Sequence, residues 1–361
     1  MKTNVVTAVA SILFACTLAS AAEPKTPGLV ATLDIKGQLD PLGVRATPDG
    51  RYVTVPSVMP PPKQGAEPTY SCTIIDTTTG KAVDLGDWLD DSHKKDGWQI
   101  AAAKPSWDGK YLLAGGRMKG SPRMCVFLVE LETHKVRMID QAAMSAASWL
   151  GPRAVIGAVD KKDNVSPLKF YNPATDLWAQ SKIIGLPAAG DANGAVLAVG
   201  AAAESPTAEL AMKDFAKGST LLVDPAGKVL LNLGTNREVG TPPVLSPTGR
   251  FAAFQYNAWK GVDPNGPPSL IRVDIVSIPD GARRSVEEDC IPLSVTDAGE
   301  VLAIASEGDA DGATLRWFAP GLKGRTLAEN AWCALAAAGR IYYIAGKQNE
   351  PLTLRYMELP K

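Results

Sequence analysis

One pattern of polar and apolar positions recurs along the chain: a Ser or Thr, two residues, a Gly, and then an unbroken apolar run. It reads TPDGRYVTV at 47–55, SWDGKYLLA at 106–114 and SWLGPRAVI at 148–156. It returns as DANGAVLAV at 191–199, SPTGRFAAF at 246–254, TDAGEVLAI at 296–304 and AAAGRIYYI at 336–344. The turn glycines are Gly50, Gly109, Gly151, Gly194, Gly249, Gly299 and Gly339, spaced 40 to 59 residues apart. A period of roughly 50 residues is that of a repeat architecture built from one supersecondary unit per repeat. The short side-chain oxygen can hydrogen-bond the turn backbone, and Gly tolerates the positive φ that a tight hairpin needs. An apolar run without alternation predicts a strand buried on both faces, as in a sheet held between two neighbouring sheets. The third copy carries Pro152 after its glycine, and the seventh opens on Ala336 in place of a polar residue.

Downstream of each phrase the pattern predicts two more strands around a small turn. CTIIDTTTGKAVDL at 72–85, CVFLVELETHKVRMI at 125–139 and STLLVDPAGKVLLNL at 219–233 are the clearest cases. Four antiparallel strands per unit is a β-propeller blade. The seventh unit ends at TLRYMEL (353–359) without a fourth strand, while LVATLDI (29–35) precedes the first phrase with nothing to pair. The prediction is therefore all-β: a seven-bladed β-propeller over residues 23–361, its last blade completed by the N-terminal strand. The turn phrase, together with an aliphatic strand ending in Asp before Thr-Gly-Lys (IIDTTTGK), resembles the PD40, or TolB-type, WD40-like propeller repeat. That resemblance implies a secreted or periplasmic propeller that serves as a binding or scaffold module, and it brings no catalytic residues with it.

Residues 1–22 read as a signal peptide. Lys2 precedes an apolar stretch at 5–18, and small residues around Ala19–Ala22 suit a signal peptidase. Cys16 within Leu13-Phe14-Ala15-Cys16 is the rival, a lipobox-like site, though Phe14 is large for the position it holds. No second apolar segment is long enough to span a bilayer. The expectation is a secreted or periplasmic chain with no transmembrane segment after processing.

Composition changes the picture mainly by exclusion. With 37 Lys+Arg against 38 Asp+Glu the net charge is −1, which excludes the basic excess of a nucleic-acid binder. Two His and five Cys leave little for His-based catalysis, a metal site or a disulfide scaffold, and no cofactor is called for. No G-x-S-x-G elbow occurs. Asp309-Ala310-Asp311-Gly312 resembles the opening of a calcium loop but has Pro320 where the bidentate Glu belongs. Cys72, Cys125, Cys290 and Cys333 are expected to be buried thiols, with a Cys290–Cys333 bridge easier than Cys72–Cys125.

Candidate binding chemistry therefore falls on the long connections at 56–71, 86–98, 201–218 and 257–269, which the strand pattern gathers on one face. Tyr70, Trp88, His93, Trp98 and Trp259 lie in or beside them and are the candidate binding residues. Trp107 and Trp149, two residues before their turn glycines, are expected at the opposite rim, and so is His134. The functional expectation is an exported, non-catalytic propeller binding a protein or carbohydrate partner through the long-loop face. The alternative is a propeller enzyme (a lyase, lactonase or glycosidase) with a polar site at the channel mouth.

Overall fold

The computed structural model describes residues 28–35, 37–40, 42–61, 63, 66–121, 123–160, 162–202, 205–259, 266–286, 289–305, 312–321, 323–346 and 351–360. The signal-peptide segment, Cys16 and the Asp309–Asp311 segment lie outside the described residues.

Five sheets follow one another along the chain, each of consecutive antiparallel strands. The first holds Gln38–Leu39 and Arg45–Ala46 as an interrupted inner strand, then Tyr52–Met59, Thr69–Asp76 and Ala82–Asp84. The second runs Trp98–Pro105, Tyr111–Met118, Met124–Glu130 and Val136–Ala142. The third begins at Met144–Leu150, the fourth at Leu186–Gly190 and the fifth at Val244–Leu245. The middle strands are buried through and through: Leu197–Ala201, an unbroken apolar run, and Ser219–Val223, which opens on Ser219 and Thr220, are buried at every position. Both their faces meet packed side chains, which explains the lack of alternation.

The expectation of seven blades is corrected. The propeller has five separate blades, and the residues assigned to the sixth and seventh units form one continuous seven-stranded sheet. Its order is Cys290–Val295, Val301–Ala305, Ala313–Phe318, Arg325–Ala337, Arg340–Ala345, Leu352–Glu358 and Gly28–Leu33. The cause is the 13-residue strand Arg325–Ala337 (RTLAENAWCALAA). It contains neither Gly nor Pro to end it, so it pairs with one neighbour through its first half and the other through its second. Ala331 is the crossover: it pairs with both Ala313 and Ala345. A bulge there and a left-handed Asn330 (φ +52°) bend the strand without breaking it. The N-terminal strand pairs with the C-terminal one, from Gly28 opposite Tyr356 to Leu33 opposite Leu352.

Apolar clusters join each sheet to the next. Cys72, Leu112 and Phe127 pack between the first and second sheets, and Leu168, Val199 and Leu221 between the third and fourth. Val53, Ile75, Leu335, Tyr342 and Leu354 join the seven-stranded sheet back to the first, closing the ring.

The turn phrase works as its residues dictate. The buried hydroxyls of Thr47, Ser106 and Ser246 accept the backbone N–H five residues on, at 2.9, 3.0 and 3.1 Å. Asp191 does the same with Oδ1 from Ala195 and Val196, both at 2.8 Å. Gly50 and Gly249 take the same left-handed φ of +69°.

Candidate functional site

The inner strands of all the sheets surround a central channel of about 680 Å³. In the first sheet the inner strand breaks between Leu39 and Arg45, where Leu42 N–H donates to Asp40 Oδ1 at 3.1 Å and Gly43 N–H to Asp40 O at 3.2 Å. Arg45 folds back on this turn, its Nη1 donating to the Leu42 and Val44 carbonyls, both at 2.7 Å. From the second sheet, Lys104 Nζ donates to Ala147 O of the third at 2.9 Å and to Ala188 O of the fourth at 3.4 Å. Trp149 Nε1 donates back to Lys104 O at 2.8 Å, and Trp107 Nε1 to Gly190 O at 3.2 Å. Edge carbonyls that no neighbouring strand pairs are thus met by long side chains from adjacent sheets.

The channel is electrostatically one-sided. Its described charged lining is Asp40, Arg45 and Lys104. Shelter from water pushes the Lys104 ammonium down to about 8, and the positive charge of Arg45 adds to the effect. Shelter also lowers Arg45, against the opposing pull of Asp40. Neither cation forms an ion pair with a carboxylate among the described residues. Trp107 and Trp149, expected at the rim opposite the long connections, line the channel.

The five candidate binding residues separate into two groups. Tyr70, second residue of the strand Thr69–Asp76, and Trp259, just after the strand Phe251–Ala258, stand at the ends of the second and third strands opposite Gly50 and Gly249. Tyr70 N–H donates to Gln99 Oε1 at 3.0 Å, its hydroxyl accepts from Arg117 Nη1 at 2.8 Å, and the guanidinium sits 4.9 Å from its ring centroid. Trp259 Nε1 donates to Gly266 O at 2.8 Å, and Arg237 lies 4.2 Å above its ring. Trp88, His93 and Trp98 instead fill the seam between the first and second sheets. Trp98 is 6% exposed and meets Phe127 edge-on at 6.0 Å. His93 meets the same ring at 5.4 Å, its Nδ1 2.8 Å from Asp90. Trp88 stacks on His134 at 4.1 Å, so the expected separation of Trp88 from the short-turn histidine is not what forms. The reason is the outer strand Ala82–Asp84, only three residues long. The chain leaves the sheet opposite Thr73, and Asp84 caps the short turn Leu85–Trp88 by accepting from Gly86 N–H. Asp90 then caps the helix Asp91–Lys95, accepting from His93 N–H, and both elements run down the seam.

The four described cysteines are buried and form no disulfide, so the bridge between Cys290 and Cys333 is not made. Burial pushes the Cys125 and Cys333 thiols up to about 12 and raises that of Cys72 as well, which leaves them unreactive. Sequence reasoning passed over Arg45, Lys104 and the exposed pair Leu177 (67%) and Trp178 (46%) on the outer strand of the third sheet.

No family model matches the chain, and no curated protein is similar to it in sequence. Solved structures are similar to it in shape. The β-propeller domain of the Trilobed protease from Pyrococcus furiosus superposes with a TM-score of 0.58 at 11% identity, covering 90% of this chain and 94% of that one. Repeat and shape agree. The fold is a β-propeller. An oligogalacturonate lyase in complex with manganese gives 0.56 at 13% identity over 94% of this propeller and 97% of that chain. One of two structurally analysed prolyl endopeptidases gives 0.52 at 11%, over 92% of this propeller and 49% of that chain, so the propeller spans about half of its length. At these identities what is shared is the fold. Among the described residues no group of three or more His, Cys, Asp or Glu could hold a metal ion. Nor is any described helix long and apolar enough to cross a membrane.

Proposed function

We propose that the chain is an exported, non-catalytic propeller that binds a protein or carbohydrate partner through the face built from its long connections. The observation that carries this reading is the pair of anchored aromatics on that face, Tyr70 under Arg117 and Trp259 under Arg237. Each ring also makes a hydrogen bond, the Tyr70 hydroxyl accepting from Arg117 and the Trp259 indole donating to Gly266, and the Tyr70 backbone N–H donates to Gln99. A ring already held in place loses little conformational entropy when a partner covers it, and aromatic–arginine pairs are the residue types enriched at such contacts. The enzymatic alternative needs acid–base groups at the channel mouth. The described lining offers one carboxylate, Asp40, where glycoside hydrolysis needs two facing each other, and this favours binding.

The test is capture from the exported fraction, with a glycan array in parallel, using the wild-type chain and the double variant Tyr70→Ala/Trp259→Ala. The expected result is a partner or glycan held by the wild type and released by the variant at similar Tm. Equal capture by both would refute the assignment of this face. Export is tested by mass spectrometry: a chain beginning near Glu23 supports it, and an intact Met1 or a lipid on Cys16 counts against the soluble exported form.

A further inference from the structure

The two channel cations occupy the same place in the repeat. Arg45 stands two residues before Thr47, and Lys104 two residues before Ser106, in adjacent sheets. The corresponding residues elsewhere are Ala146, Ala189, Val244, Ser294 and Ala334. Of these, Ala189, Val244 and Ser294 line the channel, so its positive charge is concentrated on the side of the first two sheets. Asp40 is the one acidic residue among the described lining, so the lining carries one net positive charge. Both cations are anchored by backbone carbonyls, which fix their positions without neutralising them. A lysine has three donors and an arginine five, more than these described bonds use. The wall beside them is apolar, with the indoles of Trp107 and Trp149 and with Pro105 and Pro187. Charge held away from water calls for a counter-charge, and a cavity of this size with few convergent polar groups is the usual form of a small-molecule site.

We propose that the channel binds a small organic monoanion, a single carboxylate on a flat apolar body, seated between Lys104 and Arg45. The guanidinium offers the planar fork that matches a carboxylate, the ammonium adds a point charge, and the indoles receive the apolar body. This site is separate from the outer-face partner: losing Tyr70 and Trp259 leaves it intact, so the two readings fail independently.

Benzoate and its neutral isostere benzamide, titrated into the exported chain and followed by calorimetry and tryptophan fluorescence, test the proposal. The expected result is saturable benzoate binding at least tenfold tighter than benzamide. Lys104→Gln should weaken benzoate tenfold or more without changing benzamide, and Lys104→Arg should restore most of the loss. Equal affinity for the two probes, or no saturable benzoate binding, overturns the site. The wild-type comparison decides the matter even if Lys104→Gln fails to fold.

Discussion

Neighbouring separate sheets meet through side chains, whereas the two ends of the seven-stranded sheet are joined by backbone. At the first seam Cys72, Leu112 and Phe127 interdigitate with no strand ladder across the gap. In the large sheet the strand Arg325–Ala337 carries hydrogen bonds from one half to the other. Packing at a seam is distributed over many small contacts, so a single change there is absorbed by its neighbours. A ladder concentrates the join in a few residues around Ala331. Nature of the join, rather than strand count, separates the two regions.

The comparison breaks most visibly at the outer edge of the large sheet. Deleting residues 23–36 removes the strand Gly28–Leu33 with its buried Ala31 and Leu33. Lost burial and ladder bonds together are on the order of 5 kcal/mol, and the exposed edge invites aggregation. Thermal melts should show a Tm lower by roughly 10 °C, with scattering on refolding. An unchanged Tm would show that the strand contributes nothing to closure. Next in size is Ala331→Pro, which removes a ladder donor at the crossover and should cost about 2 to 3 kcal/mol in urea unfolding. Ala114→Gly, at the side-chain seam, should cost about 1 kcal/mol. If the two are equal, the backbone join is no stronger than the packed one.

A smaller effect tests the turns common to both regions. Ser246→Ala leaves the Arg250 and Phe251 amides without their acceptor and should cost about 1 to 2 kcal/mol. A separate effect is a pH dependence from the channel. Lys104 holds its proton less tightly folded than unfolded, with a folded value of about 8 against an ordinary 10.5. Between these values the unfolded chain binds the extra proton, so stability rises with pH across that window. Below pH 8 the folded chain carries the full cost of the sheltered charge, set against Arg45 and Asp40. Lys104→Met should flatten the wild-type rise between pH 8 and 10 in denaturant titrations, and an identical slope in both would remove Lys104 as its source.

Turns and central strands were legible because each rests on a local cause: a short oxygen at Ser246, a positive φ at Gly249, an apolar run wherever both faces are covered. The number of separate sheets was not legible, because it depended on what was missing between Thr326 and Ala336, namely any residue able to stop a strand. Trp88 was misplaced for a related reason: the outer strand before it stops at Asp84, and no periodicity shows how early a strand ends. The channel was legible in principle. Aligning the seven phrases places Arg45 and Lys104 alone as cations two residues before the turn, but a charged residue in a strand reads by habit as solvated. Only the closed ring shows that this position faces a channel.

The pairing of Gly28–Leu33 with Leu352–Glu358 also sets the order of assembly. The strand Gly28–Leu33 waits for a partner made about 320 residues later. Separate sheets such as the second can form as soon as their own four strands exist, but the ring cannot latch while synthesis continues. Contacts this distant in sequence form slowly. The unlatched chain is therefore the long-lived species during synthesis, with its apolar seams open at both ends. Whatever escorts the nascent chain has to shield those two surfaces until the final strand arrives.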